Sequence, residues 1–218
     1  MTVVAIVGNG PEELIPEFNP YIDKVDYWIG ADRGAFVLAQ KEIPIKYAVG
    51  DFDSIDEREK VIIRETADNY EEYQSEKDET DLEIALLKAF ELNPDEIYLF
   101  GVTGGRIDHE LANIQLLYLI RNKGIKGVII DQLNYLELTL PGTYEIMEDN
   151  LYSNISFIPY SEKVEGITLT GFYYPLTDKT ITWGSTRCIS NKLSSNSGTF
   201  SYDKGILLLI KSRDAIPK

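Results

Sequence analysis

Two aspartates one residue apart, Asp51 and Asp53 in "YAVGDFDSIDEREK", stand between an apolar run and a helical pattern. Like charges repel, so the pair is either a solvated turn or a site where a divalent cation neutralises it. Mg²⁺ takes hard oxygen ligands and commonly joins one or two carboxylates to substrate phosphates. Other stretches offer matching chemistry. "SEKDETDLEIALLKAF" crowds Lys77, Asp78 and Asp81 at the start of a helical stripe. Acids there suit the positive helix end, which leaves Lys77 to meet a phosphate beside free backbone N–H groups. "GVTGGRIDHELANIQLL" holds Gly104 and Gly105, which let the backbone approach a ligand, and Arg106, whose planar fork takes two phosphate oxygens at once. Asp108 follows, able to ligate a metal or receive a proton. His109 is the only histidine; without a second one or a cysteine cluster, no zinc site can be built, and its role is supporting. A P-loop is excluded by the missing Gly-Lys-Ser/Thr end. NAD is disfavoured because Glu13 stands where a dinucleotide fingerprint wants its third glycine.

These residues need a frame. "TVVAIVG", "YWIGADRG" (ending in Asp32), "IKYAVGD", "EIYLFG" and "GVIID" read as buried strands. Helical patterns alternate with them: one after Asp53 with Ser54 and Glu57 at capping-box spacing, one over about 80–92 with Thr80 and Glu83 likewise, and one over about 108–122. Strand–helix alternation predicts an α/β fold, an open and mostly parallel Rossmann-like sheet with flanking helices. Asp32, Asp51, Asp53 and the Gly104–Asp108 stretch then all follow strands, on the rim where open α/β sheets bind ligands. After residue 150 the helical period disappears. "NISFIPY", "EGITLTGF", "TITWGS", "GTFSYD" and "GILLLIK" predict a small all-β sandwich or barrel. Two domains are expected, 1–148 and 149–218.

The charge follows the same division. Residues 1–150 carry 31 Asp and Glu against 13 Lys and Arg, and residues 151–218 carry 5 against 8, within a net charge of −15. So acidic a chain lacks the basic patch of a nucleic-acid binder. The single cysteine, Cys188, forbids an internal disulfide. The N-terminal apolar run is too short for a signal core or a membrane span, so no membrane association and a cytoplasmic location are expected.

"GADRGA", "GDFDSI", "KDETDLEIAL" and "GVTGGRIDHELANI", in that order and before a small β domain, closely resemble the bacterial thiamine pyrophosphokinases. The resemblance covers nearly the whole chain. It implies transfer of the pyrophosphoryl group of Mg-ATP to the hydroxyl of thiamine, giving thiamine diphosphate and AMP, by a homodimer with a shared active site. It implies that residues 1–148 bind ATP and Mg²⁺, and that 149–218 bind thiamine and dimerise. Asp51, Asp53 and Asp81 match the family's metal-binding acids, with Asp32 and Asp108 in the same pocket. Arg106 and Lys77 match its phosphate contacts. "GFYYPL" puts Tyr174 where relatives stack an aromatic on thiamine, and "STRCISN" puts Ser190 and Asn191 in the thiamine pocket. Arg33 departs from the Ala-Asp-Gly-Gly form of many relatives and is expected to add a phosphate or adenine contact. Asp81 or Asp108 is the expected base. An acid-rich surrounding also suits the permanently cationic thiazolium. Two other readings of an Asp-x-Asp pair stay open: a metal-dependent glycosyltransferase using nucleotide sugars, and a ligand sensor without turnover.

Overall fold

The structure, a computed structural model, describes residues 1–76 and 78–215. The chain folds as two compact units, Met1–Gln132 and Leu133–Lys218. The first is the expected α/β layer. Six strands run in the order β4-β3-β2-β1-β5-β6: β1 (Val3–Val7), β2 (Tyr27–Ala31), β3 (Ile45–Gly50), β4 (Ala67–Glu72), β5 (Glu96–Phe100) and β6 (Lys126–Ile130). Every neighbouring pair is parallel. β1 reads VVAIV and is buried at every position, as a central strand covered on both faces must be.

The helices are α1 (Asn19–Ile22), α2 (Arg33–Gln40), α3 (Glu57–Thr66), α4 (Asp81–Glu91) and α5 (Ile107–Asn122). The chain steps outward from β1 through β2 and β3 to β4, then crosses back to place β5 on the other side of β1. Order therefore reverses about β1, and ligand crevices form at the carboxyl ends beside such a reversal. α2 lies hard against that end of β1: a Cβ on Gly34 would fall 1.9 Å from the Val7 carbonyl oxygen. Only glycine fits there.

Two local readings change. α3 is capped by Asp56, not Ser54: the Asp56 carboxylate accepts from the N–H groups of Arg58 (2.8 Å) and Glu59 (2.9 Å), and Glu59 reaches back to the Asp56 N–H. The residues before it are drawn inward by the fully buried Phe52, so the helix starts later and Ser54 is freed. β4 is not expected from its sequence, ADNYEE, because it has no apolar period. It is an edge strand held by charge and stacking: Lys60 and Arg64 on Glu72 (2.9 and 3.1 Å), Lys88 on Glu71 (2.8 Å), and Tyr70 stacked on Phe52. Polar edges of this kind resist pairing with other chains.

The second unit is a β-sandwich. Antiparallel strands β7 (Asn134–Thr139), β13 (Leu207–Ser212) and β9 (Asn154–Pro159) make one layer. The other runs β11-β10-β12-β8, from Leu176–Thr182, Lys163–Thr170, Ser197–Tyr202 and Gly142–Met147. Phe157, Leu207 and Leu209 of the first layer share a core with Val164, Ile167 and Phe200 of the second. The compact units meet at 132/133, whereas the change of sequence pattern lies at 148/149. β7 and β8 carry the alternation of a two-layer sandwich but follow β6 without a helical period to mark the change.

Candidate active site

β2 delivers Asp32 to the carboxyl rim in a sparsely populated backbone conformation, φ 50° and ψ −126°, at the start of α2 without capping it. Its carboxylate is turned inward and 6% exposed. Oδ2 accepts from Asn9 Nδ2 and Ser54 Oγ, each at 2.8 Å. Oδ1 is buried and, among the described residues, has no hydrogen-bond partner within bonding geometry. β3 delivers Asp51 and Asp53 around Phe52, which also has a positive φ, 53°. That conformation costs roughly 1–2 kcal/mol. Complete burial of the ring, stacked 4.8 Å from Tyr70, returns on the order of 1.5–3 kcal/mol and so holds the turn.

One carboxylate oxygen from each of Asp32, Asp51 and Asp53 lies within 4.8 Å of the others. Unit charges this close repel by roughly 1–3 kcal/mol per pair, depending on screening. Burial, first, pushes the Asp32 carboxyl above its ordinary value; the Ser54 hydroxyl and Arg33 N–H oppose this, and the nearby Asp81 and Asp51 charges add to it. A hard cation fits this donor set of three convergent carboxylates, one of them buried. Asp81, at the start of α4, lines the same cleft as Asp32 and Asp51 but is not among the three oxygens that converge.

The Asp32 charge should cost stability. With the folded pKa above the unfolded one, this group lowers stability as pH rises from its ordinary 3.8, and leaves a fixed cost once it is ionised. We expect Asp32→Asn, in chelator at neutral pH, to unfold at a higher temperature than the parent. The gap should close as the pH falls. A lower melting temperature at neutral pH would mean that its hydrogen bonds outweigh its desolvation.

The loop after β5 lines the same cleft. Gly104 takes φ 79° and its N–H donates to Glu110 Oε2 at 2.9 Å. Asn113 holds the Val102 carbonyl at 2.8 Å, and Thr103 donates to the buried Asp131 at 2.7 Å. The loop presents Gly105 and Arg106 to a cleft of about 440 Å³ that also takes in Gly8–Gly10, Asp32, Asp51 and Asp81. Arg106 is exposed and forked onto Asp108, Nε to Oδ1 at 3.1 Å and the terminal NH2 to Oδ2 at 2.6 Å. That pairing holds the Asp108 carboxyl below the usual range. α5 begins at Ile107, so Asp108 sits within its first turn. His109 lines the cleft. Arg33 is directed elsewhere, to Glu12 and Glu59 at 3.5 Å each. Asp78 is exposed in the bend before α4, and Lys77 lies outside the described residues.

The second unit has its own cleft, about 1050 Å³, lined by Tyr173, Tyr174, Ser190 and Lys192 among others. Phe172 turns into the core at 4% exposure while Tyr173 and Tyr174 stand out at 69% and 62%. Asn191 does not line this cleft: it is 2% exposed and its amide is engaged by backbone.

Asn9, Ser54, Glu110, Asn113 and Asp131 escape a reading of the sequence. Asn9 has a usable signal, a polar residue just past a buried strand. The others contact partners 22 or more residues away or sit on a helix face, where local pattern is silent for Ser54 and Asp131 and ambiguous for Glu110 and Asn113.

A family model for the catalytic domain of thiamin pyrophosphokinase matches residues 18–129, and one for its vitamin B1 binding domain matches 143–207. The chain is 49% identical to the thiamine pyrophosphokinase of Bacillus subtilis (strain 168) over 98% of this chain and 100% of that protein. The crystal structure of a thiamine pyrophosphokinase from Bacillus subtilis superposes with a TM-score of 0.92 at 48% identity, covering 98% of this chain and 100% of that one. One from Geobacillus thermodenitrificans gives 0.87 at 44%, covering 98% and 99%.

Proposed function

The chain belongs to the thiamin pyrophosphokinase family, and from that premise we propose how its residues divide the work. The reaction is transfer of the pyrophosphoryl group of ATP to the hydroxyl of thiamine, releasing AMP. Attack falls on the β-phosphorus, so catalysis is mainly in-line positioning and charge neutralisation. Asp32, Asp51 and Asp53, with Asp81 in the same cleft, would hold Mg²⁺. When bound, that ion neutralises charge on the phosphate oxygens and the leaving AMP. The observation that carries this reading is the convergence of a carboxylate oxygen from each of Asp32, Asp51 and Asp53, beside a cleft lined by Asp32, Asp51, Asp81 and Arg106.

Arg106 leaves Asp108 to fork onto the phosphates, with Gly104 and Gly105 giving close backbone approach and Lys77 adding a cation. Asp81 or Asp108 would accept the thiamine hydroxyl proton, the latter once Arg106 has left it for the phosphates. Tyr174 stacks on thiamine, with Ser190 beside it. The acid cleft and the aromatic cleft are each lined by one unit alone, and a homodimer that brings one protomer's aromatic cleft to its partner's acids would complete the site. Among the described residues no helix is long and apolar enough to cross a membrane; we place the enzyme in the cytoplasm, where its single Cys188 stays reduced.

The test is AMP release from Mg-ATP with and without thiamine. Thiamine-dependent release supports the reading; turnover of UDP- or GDP-sugars, or ligand binding without AMP, overturns it. Arg106→Lys keeps the charge and loses the fork. It should lower turnover about 10–100-fold, with thiamine affinity by calorimetry nearly unchanged. A fall in thiamine affinity with normal ATP kinetics would place Arg106 in the other pocket.

A further inference from the structure

Asn191 is a buried amide of the second unit that spends its side chain on the backbone of an exposed aromatic. Its Oδ1 accepts from the Tyr174 N–H at 3.0 Å and the Lys192 N–H at 2.9 Å, and its Nδ2 donates to the Tyr174 carbonyl at 2.8 Å. Both lone-pair directions of the oxygen are thus used, and at 2% exposure the group offers little to a ligand. Its own backbone is fastened to β9, with Asn191 and Ile155 exchanging N–H···O bonds at 2.8 Å in both directions. The Tyr173 N–H adds a bond to the Lys192 carbonyl at 2.8 Å. Tyr174 is therefore gripped at both of its main-chain groups while its ring remains 62% exposed. The Tyr173 ring stands edge-on to it, centroids 4.9 Å apart at 88°.

We infer that Asn191 is a positioning residue, fixing the Tyr174 platform against β9 so that its face is ready for the thiamine ring, and that it makes no contact with thiamine itself. A segment pinned this way loses little freedom on binding, which is what preorganisation contributes to affinity. The inference rests on the reading that Tyr174 stacks on thiamine.

The experiment is a double-mutant cycle in the full-length enzyme, with KM and kcat measured separately for thiamine and for ATP. Asn191→Ala should raise the thiamine KM roughly tenfold and leave the ATP KM within about twofold, as expected for loss of a buried hydrogen-bonding group that serves only one substrate. In a Tyr174→Ala background the same change should add less than about twofold, because the two residues act as one unit. Asn191→Asp keeps the volume and the accepted bonds but cannot donate to the Tyr174 carbonyl; it should show the same selective rise, and it carries the test if the alanine variant does not fold. Fully additive effects would mean that Asn191 touches thiamine directly. Equal rises in both KM values, or no rise in a folded variant, would leave it a structural residue only. An unchanged thiamine KM in Tyr174→Ala alone removes the stacking reading and this inference with it. A raised one beside a normal Asn191 variant overturns only the inference.

Discussion

Asp51→Asn and, separately, Asp53→Asn are expected to lower turnover about 10²–10³-fold at saturating Mg-ATP, the loss typical when a main source of charge stabilisation is removed. Neither change should disturb the fold. Asp51 is half-buried and Asp53 exposed. The N–H of Asp53 donates to Asp51 Oδ1 at 3.2 Å, a bond an asparagine oxygen can still accept. Replacing one of three crowded carboxylates also relieves repulsion, so the melting temperature in chelator should hold or rise. The second readout is cation affinity, followed by Mn²⁺ binding in the presence of a non-hydrolysable ATP analogue. It should weaken in step with turnover. Near-normal activity in either variant, or lost activity with unchanged Mn²⁺ binding, would count against these two acids as cation holders.

The second large effect is recovery of activity from two dead proteins. Asp53→Asn disables the acid cleft and Tyr174→Ala weakens the aromatic one, so at thiamine concentrations far below the KM of Tyr174→Ala each protein alone should be nearly inactive. If one protomer's aromatic cleft serves its partner's acids, a mixed dimer holds one intact composite site and one doubly impaired site. Random exchange of equal amounts makes about half the dimers mixed, so activity should return to about a quarter of the parent's. The physical motive is that the aromatic cleft is lined by residues of one unit and the acid cleft by residues of the other, for a reaction whose substrates must meet. No recovery despite proven exchange, or full activity in a monomer, would show that each chain builds its own site.

Much of the frame is legible in local pattern. Apolar runs such as VVAIV can only be central parallel strands once helices alternate with them, and polar residues just past those runs fall on one rim. Asp32, Asp51, Asp81 and Arg106 are found in this way and share a cleft. Polar elements are not legible. β4 is a strand because β3 offers it a ladder and because Lys60, Arg64 and Lys88 neutralise its glutamates; none of that is written in ADNYEE. Ser54 has the spacing to Glu57 that a cap requires, but the buried Phe52 moves the helix start to Asp56.

By itself the sequence determined the fold class, the family and the rim on which the chemistry sits, because each depends on short-range periodicity and on motifs of contiguous residues. Tertiary structure alone decided which groups meet. It joined Asp32 to Asp51 and Asp53 and buried its carboxylate. It tied Arg33 to Glu12 and Glu59. It buried Asn191 behind Tyr174, although the motifs put both in one pocket. The physical reason is common to all three. A side chain's hydrogen bonds and burial are set by neighbours from distant strands, and a residue's type states what it can bond with but not what it will find there.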